Sequence, residues 1–194
     1  MTSEKALIKK IIRGDKNSFS LLVKEYKRLV AHIVYTNVKN QNDRDDLCQE
    51  IFLKIYMNLD TFKFESKLST WIGRIAYNSC VNFFKKNRTI WENTDSNQEE
   101  TGDNSVYEVE YDNAENLPVL EIHNRETSRI LRQAIFKLPG NYQTVITLFH
   151  LDELCYKEIA DILNLSVNHI KVILFRARKL LKEKVLTAYS EEDL

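Results

Sequence analysis

Almost throughout, from Leu7 to about Val185, apolar residues recur at intervals of three and four, and they nowhere alternate over a useful length. That spacing belongs to amphipathic helices. Leu7, Ile8, Ile11 and Ile12 form a short face that Gly14-Asp15 ends. Phe19, Leu22, Val23, Tyr26, Leu29, Val30, Ile33 and Val34 form a longer stripe. Asn17 is the expected N-cap of that stripe, and Gln41 to Asp43 the expected break. Leu47, Ile51, Ile55, Tyr56 and Leu59 make the next face, followed by a polar loop, Asp60 to Leu68, that contains Phe62 and Phe64. Ser69 or Thr70 is expected to cap a helix with Ile72, Ile75, Ala76 and Ser79 on its inner side. About four helices are thus expected in the first half. A second group begins with Ile130, Leu131, Ala134, Ile135 and Leu138 and stops at Pro139-Gly140. Val145, Ile146, Leu148 and Phe149 mark the next helix, Tyr156 to Leu163 another, and Val167 to about Val185 the last. Four Gly and two Pro in 194 residues are too few for a sandwich of short strands. The expected fold is all-α, in two small helical domains.

The net charge is zero, but its distribution is uneven. Residues 1–88 carry 17 basic and 9 acidic side chains; 89–122 carry 10 acidic and no basic; 123–194 carry 11 basic and 9 acidic. A basic block suits a polyanion such as nucleic acid. The acidic block is rich in Asn, and Thr94 to Asp103 contains no large apolar residue. It buries too little to offset its ordering entropy, so a flexible linker is expected at 89–122. No run approaches 18 apolar residues, so no transmembrane helix is expected. Lys9, Lys10, Arg13, Asp15 and Lys16 interrupt any signal-peptide core. Three dispersed cysteines, 48, 80 and 155, fit a reducing compartment. A cytoplasmic protein is expected.

Tyr156 to Lys171 reads as a helix-turn-helix. Ile159, small Ala160 and Leu163 pack its first helix, Leu165 is expected to plug the turn, and Ser166 to cap the second helix. Ile170, Leu174 and Ala177 then face inward. Asn168, His169, Lys171, Arg176, Arg178 and Lys179 are left outward, a set suited to base edges and phosphates of a major groove.

In the first half, Asp46, Gln49 and Glu50 share a helix face beside Asp45. By spacing alone, this acidity most simply complements the helix macrodipole. Ser69 to about Arg88 mixes aromatics with cations: Trp71, Arg74, Tyr77, Phe83, Phe84, Lys85, Lys86 and Arg88. Such a mixture suits unstacked bases, although each ring taken singly is more readily a core residue.

Four stretches in order resemble a bacterial RNA polymerase sigma factor of the extracytoplasmic-function (ECF) group. They are Asp43-Arg-Asp-Asp-Leu-Cys-Gln-Glu-Ile-Phe52, Ser69-Thr-Trp-Ile-Gly-Arg-Ile-Ala-Tyr-Asn78, Leu138-Pro-Gly-Asn-Tyr-Gln-Thr-Val-Ile146, and Tyr156 to Lys179. The resemblance implies sigma region 2 in 1–88, an acidic linker in 89–122 and region 4 in 123–194, with core RNA polymerase and promoter DNA as partners. Asp45, Asp46, Leu47, Gln49 and Glu50 would then bind the polymerase clamp. Phe64, Lys67, Ser69, Thr70, Trp71, Arg74, Asn78, Lys85, Lys86 and Arg88 would contact the minus-ten element, where a base is flipped. Ser166, Asn168, His169, Lys171, Arg176, Arg178 and Lys179 would contact the minus-thirty-five element. A linker of 34 residues spans at most roughly 110–120 Å, enough for two groove sites on the order of 70 Å apart. Members of this family are often held by an anti-sigma factor.

Two departures stand out. Val172-Ile173 replaces the Ser-Arg common in the family, and Cys155 stands where Ser is usual. No enzyme motif occurs, and His32, His123, His150 and His169 are scattered. No catalytic residue, cofactor, metal or small-molecule substrate is expected. The alternatives are a helix-turn-helix regulator acting without core polymerase, or a polymerase-binding adaptor that initiates little. The charge split also permits a compact, self-masked form of the free chain.

Overall fold

The computed structural model describes residues 2–92 and 125–192, with side chains described for 4–86 and 129–187. Among the described residues the regular structure is helical throughout. Helix α1 spans Thr2–Ile12, α2 Lys16–Asn37, α3 Gln41–Asn58 and α4 Leu68–Glu92. Helix α5 spans Arg125–Phe136, α6 Gly140–His150, α7 Tyr156–Leu163 and α8 Val167–Glu192.

The ends of these helices follow local chemistry. Gly14 takes φ 91°, a left-handed conformation with no Cβ to oppose it, and its N–H and that of Asp15 close the end of α1 on Ile11 and Lys10. Asp15, not Asn17, caps α2: its carboxylate accepts from the N–H groups of Asn17 and Ser18 and from the Ser18 hydroxyl. Asn17 already lies inside the helix and donates to that cap. The break after α2 falls at Val38–Asn40, earlier than Gln41, because the Asn40 side chain accepts from Asn42 and Asp43 N–H and starts α3 there. Buried Arg44 fixes the same corner, donating from Nε to the Val38 carbonyl at 2.6 Å.

A single 3-10 turn, Leu59–Thr61, leads into the loop before α4. That helix begins at Leu68, with Trp71 N–H already on the Lys67 carbonyl. Ser69 and Thr70 are therefore inside the first turn and not its cap. Helix α4 runs on to Glu92, four residues into the segment expected to be linker. The rest of that linker expectation falls outside the described residues.

The first half is a bundle in which α2, α3 and α4 enclose Leu22, Ile33, Ile51, Ile55 and Ile72, all fully buried. In the second half α6, α7 and α8 enclose Val145, Ile146, Ile159, Ile170 and Leu174. These two cores are continuous. α6 lies along α2, and α7 lies on α4. Gly73 of α4 faces this contact: a Cβ there would stand 2.7 Å from Cδ1 of Ile162 on α7, so the end of that side chain would have to turn aside.

Polar contacts ring the same seam. His32 on α2 is fully buried and donates from Nδ1 to the Asp152 carboxylate at 2.8 Å. Arg28, one turn earlier, donates to the Leu151 carbonyl at 2.9 Å. Both acceptors sit in the short connection after α6.

Candidate nucleic-acid interface

The helix-turn-helix is built from α7, the turn Asn164-Leu165-Ser166 and α8. α7 starts with its Cys155 N–H on the Glu158 carboxylate at 2.8 Å. It ends at Asn164, whose left-handed backbone (φ 55°) lets Leu165 N–H return to the Ala160 carbonyl. Leu165 is 36 % exposed, so it does not plug the turn. The left-handed Asn164 and the N–H return close the turn in its place. Ser166 accepts from His169 N–H at 3.2 Å and caps α8.

Ile170, Leu174 and Ala177 pin the inner face of α8, all buried. Asn168, His169, Lys171, Arg176, Arg178 and Lys179 are exposed. Arg178 is held from behind. Its guanidinium lies over the Phe149 ring at 5.1 Å, and its Nε–H meets His150 Nε2 at 3.2 Å. Burial, with Arg178 alongside, holds His150 below its ordinary value, so its ring nitrogen is free to accept that bond near neutral pH. Of the two departures on this helix, Ile173 turns into the core at 6 % exposure while Val172 stays outside at 46 %. Sequence reasoning passed over Phe175, which is 72 % exposed on the same outer side. Its signal was the spacing 168, 172, 175, 179, a second helical stripe beside the buried one.

In the first half two surfaces hold the remaining candidates. On α3, Asp45, Asp46, Gln49 and Glu50 are exposed, and Glu50 pairs with Lys54 at 2.7 Å. Leu47, named with them from the sequence, is buried at 3 % exposure under that face. At the start of α4, Phe62 is buried and packs its ring against half-buried Trp71, the centroids 5.5 Å apart and the planes tilted by 50°. Phe64 lies 4.7 Å from Phe62 on the outside. It has φ 60°, a conformation that costs a non-glycine residue roughly 1–2 kcal/mol. Lys5 of α1 sits over the Phe64 ring at 5.0 Å, a cation that the sequence alone did not bring to this site.

Lys67, Arg74, Asn78, Lys85 and Lys86 are exposed along the loop and α4, and Ser69 is half-buried. Thr70 is buried at 2 % exposure and points into the bundle. The Arg88 side chain lies outside the described residues. Two of these cations already have partners in the second half. Lys67 Nζ is 2.7 Å from Glu158 Oε1, and Arg74 donates from Nε to the Asp161 carbonyl at 3.0 Å. The Arg74 guanidinium is also 4.0 Å from the Asp161 carboxylate.

Two family descriptions match the chain: Sigma-70 region 2 over residues 22–90, and Sigma-70, region 4 over residues 128–181. The chain is 33 % identical over 185 residues to the ECF RNA polymerase sigma-E factor of Haemophilus influenzae, covering 94 % of this chain and 95 % of that one. It is 32 % identical over 182 residues to the ECF RNA polymerase sigma factor SigW of Bacillus subtilis, covering 93 % and 96 %. Its fold is similar to that of CnrH in complex with the cytosolic domain of CnrY, with TM-score 0.60 and 19 % identity over 94 % of this chain and 96 % of that one. It is also similar to the sigma factor RpoE of Bartonella quintana in complex with the anti-sigma factor NepR, with TM-score 0.62 and 18 % identity over 86 % and 96 %.

Proposed function

The chain belongs to the sigma-70 family, in its extracytoplasmic-function group, and from that membership we infer how its parts are used. It is an alternative sigma factor that joins core RNA polymerase and directs promoter-specific transcription. The division of labour follows 1–88 as region 2, 89–122 as linker and 123–194 as region 4. The exposed acidic face of α3, with Asp45, Asp46, Gln49 and Glu50, docks on a basic surface of the polymerase clamp. Leu47 supports that face from below.

Phe64, Lys67, Ser69, Trp71, Arg74 and Asn78 take the opened minus-ten strand, rings against bases and cations against phosphates. Lys85, Lys86 and Arg88 extend the phosphate track. Thr70 positions the first turn of α4 from inside. α8 enters the major groove of the minus-thirty-five element with Asn168, His169 and Lys171 foremost. Ser166, Arg176, Arg178 and Lys179 anchor it to the backbone.

One observation carries this reading: a single chain presents both an exposed acidic face on α3 and a capped helix, α8, with an exposed basic face. The chain's part in initiation is binding and strand capture, with no catalytic step of its own. No helix among the described residues is long and apolar enough to cross a membrane. In this reading the protein acts in the cytoplasm, where polymerase and promoter meet, and an anti-sigma factor is a further partner.

The test is reconstitution with core polymerase and transcription from sheared genomic DNA. Saturable binding with new, discrete start sites is expected. DNA binding by the chain alone, with no affinity for core polymerase, would overturn the assignment in favour of an ordinary regulator.

A further inference from the structure

Helix α1 precedes residue 22, where the match to region 2 begins, and none of the roles assigned above uses it. Resting on the minus-ten assignment, we propose that α1 is a second contact for the opened strand. Beyond Phe64 the strand runs along the outer side of α1, where Lys5, Lys9 and Arg13 neutralise its phosphates.

The helix is a fixed platform. Ile8 and Ile11 are buried, and α1 packs on α2 and on the Leu59–Thr61 turn. The Tyr26 hydroxyl of α2 donates to the Glu4 carboxylate at 3.4 Å. Lys5, Lys9 and Arg13 follow one another at four-residue spacing, so they line one side of the helix, and all three are exposed. Successive members are about 6 Å apart along the axis. Arg13 lies just past the last helical residue, but its N–H still reaches the Lys9 carbonyl at 3.2 Å and continues the stripe.

The charges on this stripe are uncommitted. None of the three cations has an ion-pair partner among the described residues. The nearby carboxylates are engaged elsewhere, Glu4 by Tyr26 and Asp15 by the start of α2. The macrodipole accounts for Lys9, which stands near the C-terminal end of α1. It does not account for Lys5, which stands near the N-terminal end, where a cation is disfavoured. Lys5 is held by the Phe64 ring instead, its Nζ 5.0 Å from the centroid.

That contact joins the stripe to the stacking site. The Phe64 ring is 39 % exposed. A base that takes the ring displaces the ammonium, and the flexible stem of Lys5 carries it to the adjoining phosphate. The direction follows from the fold. From Lys67 the cations of α4 run toward Lys86, the end that leads to region 4 and the upstream element. α1 packs on the turn that precedes Phe64 and so continues the track past the ring, downstream of the minus-ten element.

The test uses the full chain assembled with core RNA polymerase, on a promoter mapped by its start sites. Two fluorescein-labelled fork DNAs are compared, each duplex upstream and single-stranded through the minus-ten element. In the short one the strand stops there; in the long one it runs about ten nucleotides further. The forms are wild type, Lys9→Gln/Arg13→Gln and Arg74→Ala, each checked for folding by circular dichroism. Core polymerase without the chain supplies the background.

The double variant should match wild type on the short DNA and bind the long one more weakly. On the long DNA its slope of log K against log salt should be shallower by about 1.4, from about 0.7 for each of two lost phosphate contacts. If wild type and the double variant bind both DNAs equally, the proposal is overturned; weakening of Arg74→Ala on both DNAs then shows that the minus-ten reading survives. If Arg74→Ala is unaffected on either DNA, that reading falls and the proposal with it. Equal weakening of the double variant on both DNAs overturns the downstream placement and points to a contact with polymerase.

Discussion

Glu158 takes part in two contacts, capping its own helix through the Cys155 N–H and reaching across to Lys67. Burial pushes its carboxyl up, but the Lys67 ammonium and the Cys155 N–H outweigh this and hold it below its ordinary value. Lys67 is correspondingly raised, chiefly by the hydrogen bond to Glu158. A lowered carboxylate stabilises above its ordinary value, and that contribution is lost as pH falls through its folded value. A raised lysine stabilises below its ordinary value and is lost as pH rises through its folded one. The pair is therefore intact across neutral pH. The pair's contribution to the melting temperature should stay constant there and begin to fall as pH drops past 4.5, the ordinary glutamate value, in a pH series of melting curves. Gln143 illustrates the opposite case. It is fully buried in α6, and its amide N and O have no partner among the described residues. Gln143→Met keeps the volume and removes the unsatisfied amide. It should raise stability by about 1 kcal/mol in urea unfolding.

At the scale of elements, α3 and α8 each divide a core face from a working face, and the two faces should answer differently to substitution. Ile51 is fully buried beneath the acidic side of α3. Ile51→Ala should cost about 2–5 kcal/mol of folding stability. Asp46→Ala/Glu50→Ala should leave the melting transition nearly unchanged and weaken binding to core polymerase, as a pull-down titration would show. On α8, Arg176→Ala should lower promoter affinity and reduce the slope of log K against log salt by about one unit.

Much of this was legible in the sequence, because helical periodicity reports which side of an element is buried. Ile51, Ile72, Ile159 and Ile170 all lie where their stripes put them. Caps were less legible. Both Asp15 and Asn17 are good capping residues, and only the backbone shows which of them stands outside the helix. Leu165 misled because its place in the turn suggested a plug, whereas a left-handed Asn164 closes the turn without one. Leu47 and Thr70 entered the contact candidates through the family resemblance, yet both are buried: a helix sends neighbours in sequence to different faces, and the apolar stripe already counts Leu47 on the inner one. The meeting of α7 with α4 leaves no mark in any local pattern. It depends on partners such as Lys67 and Glu158 that are far apart along the chain.

For the whole molecule, the continuous core is the property that matters. The halves share a seam with Ile33 and Gly73 on one side and Ile162 on the other, so neither half keeps all of its buried surface when the seam opens. Wild-type chain should unfold in urea as one transition, with circular dichroism and tryptophan fluorescence coinciding. Gly73→Phe should separate the two probes, since Trp71 packs against Phe62 in the first half and the second half holds no tryptophan among its described residues.

The bonds from Arg28 to Leu151 and from His32 to Asp152 join residues 123 and 120 positions apart. Chains are synthesised from the N-terminus at about 5–20 residues per second. When α4 has been made, as far as Glu92, about 70 residues are still to come before α7 is complete at Leu163. For roughly 4–14 s of synthesis, Ile33, Gly73, Lys67 and Arg74 are therefore present without their covering helix. A newborn chain thus completes its first half before the seam that joins it to the second can form.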